Sequence, residues 1–596
     1  MSTVAYPIAI GDALSGGITI TVTAFSLSDS ASGVEKLSGP NQSVTVSLPA
    51  QLYGPAIIPL VTPGTTVTFL LPVCVPKPIT FSQLSGGVTV HTHCPNEIIQ
   101  PSLWNNRRTI LINQLSKLAV LIQLINYVNR AIASDLYNEY NNIMNRLRQL
   151  PPVDVGDPVS HEHYNIIYDH ISLANDVIYY YFDVIYGYFG ALPPFIANVF
   201  SPVGYVLTRM FKKSSMDMLY SNDWNNLTYA LYAIDQALQI IQNYLPLVIK
   251  LSNPGYTYPS GQQIVIAIQP SNYPGINEDL SNVYFIDSSG NKIPYWVEVD
   301  ANNNNGTAVV WLKLTDTVIN QLNNGSSTIL LLPTSNNVID GVNYGINSAI
   351  TGSLSTDNIG NIMDQGLIYS LWANTSSSGF PWTTQSFSDP LINASLNTQS
   401  VTITGDSTPI TESLLSSLNI AKSLFTSTIP CTVSGGSYTN CGCSSCTSQG
   451  NMLFAWQSGY SCGISAPVSG NNPWLVKTIG WVQAPQQSTM YVLIDDGINV
   501  WLSLVGELGT DGVNWASSGN NIMSLWTGHS LRCGSQPTPF TTTIPFGTRR
   551  IELHYGNFIP PEDALFTWFS NTLNLYHAKF VPKGYMPTVS ITRMSF

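Results

Sequence analysis

The stretch MYVLIDDGINVWLSL, residues 490–504, decides how the last part of the chain reads. Apolar and polar residues alternate on both sides of its centre, the period of a β-strand with one buried face. Between the two runs stand Asp495 and Asp496, followed by Gly497, so the pattern predicts two strands meeting at a pair of carboxylates. Only 9% of the 596 residues are charged, against about a quarter in ordinary globular chains. Two adjacent acids in such a chain require a chemical reason.

The 34 acidic and 22 basic residues leave a formal charge of -12, with no basic run. Phosphate recognition needs a Lys/Arg surface, so nucleic acid is excluded as a partner. Asn, Ser, Thr, Tyr and Gly fill the polar positions, and a surface of amides and hydroxyls changes little when carboxylates are protonated. That suits service outside a cell, in acid. The length and the 44% apolar content support several independent cores. The fold class expected is multidomain and mainly β, with β-sandwich or jelly-roll and β-barrel modules and one α-helical bundle or coiled-coil insertion.

Four parts follow from changes of period. Residues 1–100 alternate in GITITVTAFSLS, QSVTVSLP, TTVTFLLPV and GGVTVHTH, an N-terminal β-sandwich. His91 and His93 beside Cys94 share a strand face whatever their job, and metal is the less favoured reading there. Residues 101–250 carry a heptad stripe from Leu111 through Leu115, Leu118, Ile122 and Ile125 to Leu147 and Leu150, with Asn129 as a polar interruption. This predicts one helix of about 45 residues, ended by Pro151 and Pro152. A second stripe runs from Trp224 to Val248, so the two helices form either an intramolecular bundle or a homo-oligomeric stalk. Between them, residues 184–208 carry no charge and are long enough to cross a bilayer, but Pro193, Pro194 and Pro202 break a spanning helix. A buried bundle tip or oligomer contact is the first reading, and membrane contact through 184–208 the second. The histidines of HEHYNIIYDH lack the spacing of a helical metal site and read as solvated. Residues 251–345 form a small β-sandwich, and residues 346–596 a β-barrel with a Ser/Thr/Asn/Cys-rich insertion.

Eight cysteines, Cys74, Cys94, Cys431, Cys441, Cys443, Cys446, Cys462 and Cys533, are disulfide candidates. Zinc is the alternative for the cluster at 431–446, although paired knuckles and a nearby histidine are missing. Asn41, Asn226, Asn305, Asn324, Asn374 and Asn393 begin glycosylation sequons. The N-terminal residues lack the basic and apolar regions of a secretory signal. Disulfides and sequons without export are reconciled by a virion protein, assembled inside a host and released with the particle.

Two resemblances rest on particular residues. QQIVIAI, NVYFIDSSGNKIPYWVEV, AVVWLKL and STILLLP, within 253–335, resemble a small β-sandwich module of surface proteins. There Trp296 and Trp311 are expected in a core, with Glu298 and Lys313 paired across strands. GLIYSLW, IGWVQAP, MYVLIDDGINVWL, RRIELHYGN and ALFTWF resemble, in this order, the β-barrel domain of anthrax protective antigen, shared by yeast flocculins, epithelial adhesins and many glycosidases. In its carbohydrate-binding members adjacent acids hold a calcium ion that also meets sugar hydroxyls. The resemblance therefore makes Asp495 and Asp496 candidate calcium ligands, with Asn499 as a further one. The competing reading is a tight turn without metal.

The expectation that follows is a virion structural protein, a spike, turret or tail component of an archaeal virus. It would be a homo-oligomer among other virion proteins, exposed on the virion surface and attaching to host glycans, glycoproteins or pili. A cell-surface or S-layer adhesin is the first alternative and a carbohydrate-active enzyme the second. Catalysis is not expected: glycoside hydrolysis needs two carboxylates separated across a cleft, and no GxSxG, HExxH or phosphate-binding loop is present.

Overall fold

The computed structural model describes residues 77–93, 101–154, 159–188 and 190–334, the strands between 18 and 74, and, from 359 onward, the strands with the short segments named below. The chain divides into two compact units, residues 1–243 with 595–596, and residues 244–594. The architecture is mixed α and β: several antiparallel sheets and seven α-helices among the described residues, with helices in both units. This corrects the expectation of a mainly β chain with a single helical insertion.

In the first unit β1 (Ile18–Phe25), β2 (Ser30–Leu37), β3 (Gln51–Leu52) and β4 (Thr66–Cys74) form a sheet in the order β2-β1-β4-β3, with β1 and β4 parallel. β5 (Pro78–Thr80) and β6 (Thr89–His91) form a hairpin. The helices are α1 (Pro101–Val128), α2 (Arg130–Gln149), α3 (His161–Tyr180), α4 (Pro194–Arg209) and α5 (Ser221–Ile241).

The single long helix does not form. Asn129 takes extended dihedrals (φ -135°, ψ 94°) and its side chain accepts a hydrogen bond from the Ile132 amide, so it caps α2 instead of interrupting a seam. Asparagine competes well for this role because a short side-chain oxygen replaces a missing carbonyl. The stripe is nonetheless buried on both sides of the break, through Leu111, Leu115, Leu118, Ile122 and Ile125 and then Leu136, Ile143 and Leu147. The uncharged stretch yields α4, 16 residues with Pro202 inside it, and Ile196, Phe200, Val203 and Val206 form its buried face.

The histidines of α3 are not solvated as expected: His163 and His170 are buried. Asp235, also buried, accepts from the hydroxyls of Ser82 (2.5 Å) and Ser85 (2.6 Å). Gln114 donates to Ser85 Oγ and to the Leu231 carbonyl, so its own oxygen faces His170 Nε2 at 2.8 Å. His170 must then carry its proton on Nε2, which leaves Nδ1 buried without a partner. Burial pushes the pKa of His170 down to about 3, so the ring is neutral.

The second unit begins with β7 (Leu247–Ser252), β8 (Gln263–Ile268), β9 (Val283–Ile286), β10 (Lys292–Ile293), β11 (Tyr295–Val299), β12 (Ala308–Lys313) and β13 (Ser326–Pro333), with α6 (Asp316–Asn323) before β13. α6 forms because Thr315 caps it, its hydroxyl accepting from the Val318 amide, and Asp316 favours its positive end. A second series of strands follows α7 (Ile359–Ile362): β14 (Asp364–Gln365), β15 (Leu367–Ala373), β16 (Ser423–Phe425), β17 (Met452–Trp456), β18 (Trp474–Ala484), β19 (Ser488–Ile494), β20 (Gly497–Ser503), β21 (Asn520–Leu525), β22 (Thr541–Ile544), β23 (Gly547–Asn557), β24 (Phe566–Phe569), β25 (Asn574–His577) and β26 (Thr588–Arg593).

The first series makes two sheets, β10-β9-β13-β7-β26 and β11-β12-β8, which bury an aliphatic and aromatic core between them. The last strand of the chain, β26, pairs with β7 some 340 positions earlier in the order Thr588↔Ser252 to Arg593↔Leu247. The expected 251–345 sandwich is therefore completed from the far end of the sequence. The second series makes an eight-stranded sheet along β14-β25-β18-β23-β20-β21, joined by β15 and β16, and a four-stranded sheet β17-β24-β19-β22. A second core cluster joins Trp296 and Trp311 of the first series to Trp481, Trp501 and Trp515 of the second, so residues 251–345 and 346–594 share buried side chains within one compact unit.

Candidate functional site

β19 and β20, the two halves of the opening stretch, do not form a hairpin. β19 pairs with β22 and β24, whereas β20 pairs with β21 and β23 in the other sheet. The acid pair falls where the chain passes from one sheet to the other. Asp495 and Asp496 themselves lie outside the described residues, as do Cys94, Cys431, Cys441, Cys443, Cys446, Cys462, Cys533, Asn41, Asn374 and Asn393. Cys74 ends β4. Asn226 is half-buried on α5, while Asn305 and Asn324 are exposed.

Asn499 is placed. Strand alternation puts it on the same face of the eight-stranded sheet as Trp501, and the register aligns it with His554 of β23, which is in turn opposite Lys477 of β18. That face is a grid: Lys477, Ile479 and Trp481 on β18, Arg550, Glu552 and His554 on β23, Asn499 and Trp501 on β20, all buried. A surface so rich in charge would ordinarily face water. Here it is covered, and every charge meets an opposite one.

At one end Lys477 Nζ lies 2.8 Å from Glu552 Oε1, which His554 Nε2 approaches to 2.7 Å. His554 Nδ1 lies 2.6 Å from Asp389 Oδ2, and Asn499 Nδ2 donates to the same oxygen at 2.7 Å. Burial opposes ionisation of Glu552, but the Lys477 charge and the His554 contact outweigh it and hold the carboxyl down at about 2. For His554 burial acts against the charged form, yet Asp389 and Glu552 together raise its pKa. The ladder thus alternates in sign: ammonium, carboxylate, imidazolium, carboxylate. Each member is hydrogen-bonded, the condition under which buried charge is tolerated.

At the other end Arg550 forms a bidentate pair with Glu298 of β11, Nε to Oε1 at 2.6 Å and Nη2 to Oε2 at 2.7 Å. The same carboxylate accepts the indole N–H groups of Trp311 (2.8 Å) and Trp481 (3.0 Å). The guanidinium lies 4.2 Å from the ring centroid of Trp515. The pairing of β11 with β12 shifts register between Val297 and Val299, leaving Glu298 as the extra residue of a bulge. Bulges re-aim side chains, and this one accompanies the meeting of Glu298 with Arg550. The expected Glu298–Lys313 pair is corrected accordingly: the partner stands 252 residues on.

Sequence reading missed Asp389, Lys477, Arg550, Glu552 and His554. The signal was present in RRIELHYGN, where Arg550, Glu552 and His554 recur at every second position, but an amphipathic strand gives the same pattern. Among the described residues the charged groups of the grid are covered and are spent on one another. Towards a metal, no group of three or more His, Cys, Asp or Glu among the described residues is arranged to hold an ion. Among the described residues, an oxygen that fits a hard cation is Asn499 Oδ1, buried and without a hydrogen-bond partner, on the strand that begins directly after the acid pair.

No family model matches the chain, and no curated protein matches it. Among solved structures, the A domain of a subtype-switched epithelial adhesin from Candida glabrata, in complex with β-lactose, is 11% identical over 37% of this chain and 90% of its own, with a TM-score of 0.18. It is a weak lectin-type structural neighbour. An anti-sigma factor domain-containing protein is 9% identical, covering 57% of this chain and 83% of its own at a TM-score of 0.17. One from Clostridium clariflavum is 11% identical over 59% and 79%, at 0.15. Likenesses at such scores carry no argument about this chain.

Proposed function

We propose that this chain is an attachment protein of a virion exterior, and that residues 346–594 bind a host-surface glycan through a calcium ion held by Asp495, Asp496 and Asn499 Oδ1. The observation that supports the reading most is the buried, unpartnered Oδ1 of Asn499, two positions beyond the glycine that follows the acid pair. An uncompensated buried acceptor costs about 1–3 kcal/mol, and a cation at that oxygen removes the cost. Calcium takes six to eight oxygens, and two carboxylates and an amide oxygen begin such a set, leaving positions for sugar hydroxyls. The low charge and the hydroxyl- and amide-rich composition support service outside a cell. In this reading the protein is a homo-oligomer, and residues 184–208 serve oligomer or membrane contact.

The test is calorimetric titration of calcium into the full chain, with Asp495→Ala and Asn499→Ala variants, followed by a glycan array with and without EGTA. Loss of the calcium heat in both variants and of array binding in EGTA is expected. Heat unchanged in Asp495→Ala, or glycan binding indifferent to EGTA, refutes the proposal.

A further inference from the structure

In a chain whose surface is wetted by amides and hydroxyls, the large apolar side chains that do reach solvent are not scattered. The five most exposed among the described residues are Met216 (92%), Phe211 (75%), Met218 (72%), Tyr220 and Tyr205, and all fall within residues 205–220. This stretch runs from the last turns of α4 to the start of α5. Apolar residues exposed singly need no explanation, but a contiguous patch marks a contact.

The connection is built inside out. The Lys213 amide donates to Asn165 Oδ1 and its carbonyl accepts from Asn165 Nδ2, both at 2.8 Å. Lys212 Nζ lies 2.6 Å from Asp169 of α3, and Lys213 Nζ 3.1 Å from Asp223 of α5. Asp217 accepts from the Ser214 amide, and Met210 is buried. The polar groups are thus spent on the fold, while Phe211, Met216 and Met218 are held outward and the Tyr220 hydroxyl donates to Met218 Sδ at 3.8 Å. A surface fixed in this way needs no ordering when a partner arrives.

Charge around the patch is reversed relative to the chain. Residues 205–220 hold Arg209, Lys212 and Lys213 against the single carboxylate of Asp217, whereas acids outnumber bases by 34 to 22 overall. α4 carries no charged residue before Arg209, so its solvent face is uncharged up to the patch.

We infer that residues 205–220 dock on an anionic lipid bilayer, with Phe211, Met216 and Met218 entering the acyl boundary and Arg209 and Lys212 lying at the headgroups. Apolar side chains rimmed by cations match the two layers of such a surface, hydrocarbon beneath anionic phosphates. Tyr205 and Tyr220 suit the boundary between the layers, because each ring has an apolar body and a polar tip. Methionine adapts to an irregular, fluid neighbour. A second copy of this chain fits less well, since a two-fold contact sets the patch against itself, cation against cation. The inference deepens the membrane-contact reading of residues 184–208 and rests on it. Ile196, Phe200, Val203 and Val206 of α4 are buried, so the side chains free to meet lipid are those at and beyond the end of that helix.

The full chain, in EGTA, is sedimented with phosphatidylcholine vesicles that contain or lack phosphatidylglycerol. Binding to the anionic vesicles is expected, weakened about tenfold or more by the joint change Phe211→Ser, Met216→Ser and Met218→Ser and kept by Met216→Leu with Met218→Leu. Arg209→Gln, or raised salt, should weaken it severalfold. The changed side chains are exposed, so urea midpoints stay where they are. Asp495→Ala keeps vesicle binding, which separates this surface from the calcium site. Vesicle binding that survives the triple serine change overturns the inference and leaves the membrane reading of 184–208 standing. No binding to either vesicle overturns both, with the glycan proposal still judged by its own titration. Dissociation of an oligomer by the triple change, without vesicle binding, assigns the patch to a second copy and overturns the inference as well.

Discussion

Replacing Glu298 by glutamine keeps the shape of the side chain and removes one charge from a place where four donors converge. Arg550 supplies two of them, and Trp311 and Trp481 one each. The amide has one acceptor oxygen and brings two donors of its own, so donors face donors on one side of the group. With charge centres about 4 Å apart and an effective dielectric near 20, the lost attraction is about 4 kcal/mol. The relieved desolvation of the carboxylate offsets part of this, and a donor left without an acceptor adds about 1–3 kcal/mol. The net expectation is a loss of about 3–5 kcal/mol, the range for breaking a buried pair from one side. Urea unfolding followed by tryptophan fluorescence is the suitable assay, because Trp296, Trp311, Trp481 and Trp515 surround the pair. Replacing both partners by methionine should recover most of the loss, since apolar residues need no partner. A loss below about 1 kcal/mol in Glu298→Gln, or a double variant no better than the single one, refutes the reasoning.

Lys477→Met leaves the Glu552 carboxylate without its cation and should lower the fluorescence-detected transition by about 3–5 kcal/mol. Because Glu552 is depressed to about 2 from an ordinary 4.5, it stabilises the fold above pH 4.5, and that contribution of about 3 kcal/mol is lost as pH falls through 2, seen as a steep acid limb of the pH–stability curve that Glu552→Gln flattens. His170 has the same protonation preference in a higher pH window: its folded pKa near 3 lies below the ordinary 6.5, so the unfolded chain takes up the proton first and stability falls as pH drops below 6.5, by about 3 kcal/mol at pH 4.5. His170→Gln should flatten that slope in thermal melts between pH 6.5 and 4. Asn129→Ala removes the α2 cap and should cost about 1 kcal/mol in urea titrations followed by circular dichroism. In Gly480→Ala the new methyl would stand 2.3 Å from the Tyr576 carbonyl oxygen, and overpacking of about 1–3 kcal/mol should appear as a lowered melting temperature.

Strands were legible wherever one side of the alternation is apolar, as in GITITVTAF or AVVWLKL, because a period of two matches the pleat of a strand and no helix. The heptad stripe was legible as buried, but its continuity through Asn129 was not evidence of continuous helix: α2 resumes in nearly the same phase, so periodicity passes through a cap unaltered. α6 was missed because eight residues hold barely two turns, too few for a period to show. The pairing of β26 with β7, and of Glu298 with Arg550, depends on contacts across hundreds of residues, and no local pattern encodes a partner. Asn499 was reached only by resemblance; its unpaired oxygen depends on which neighbour takes the amide nitrogen, a fact of register.

The scarcity of charge on this chain and its concentration inside the second unit belong together. Amides and hydroxyls keep the surface wetted without ions, which is why the composition suggests indifference to acid. The interior contradicts that indifference. Glu552 and His554 are covered side chains whose protonation changes the energy of the fold, and His170 is a neutral ring in the other unit whose protonation is opposed by burial. Acid sensitivity is therefore set by a few buried groups and not by the surface count. Buried pairs add less stability than apolar packing would, but an apolar face slides, whereas the bidentate Glu298–Arg550 pair accepts one registration of the small sheets on the large one. Trp296 and Glu298, two positions apart, share the face of β11 that meets the large sheet, and the bulge at Glu298 brings Val299 into the same core, so the anion opposite Arg550 stands among packed side chains.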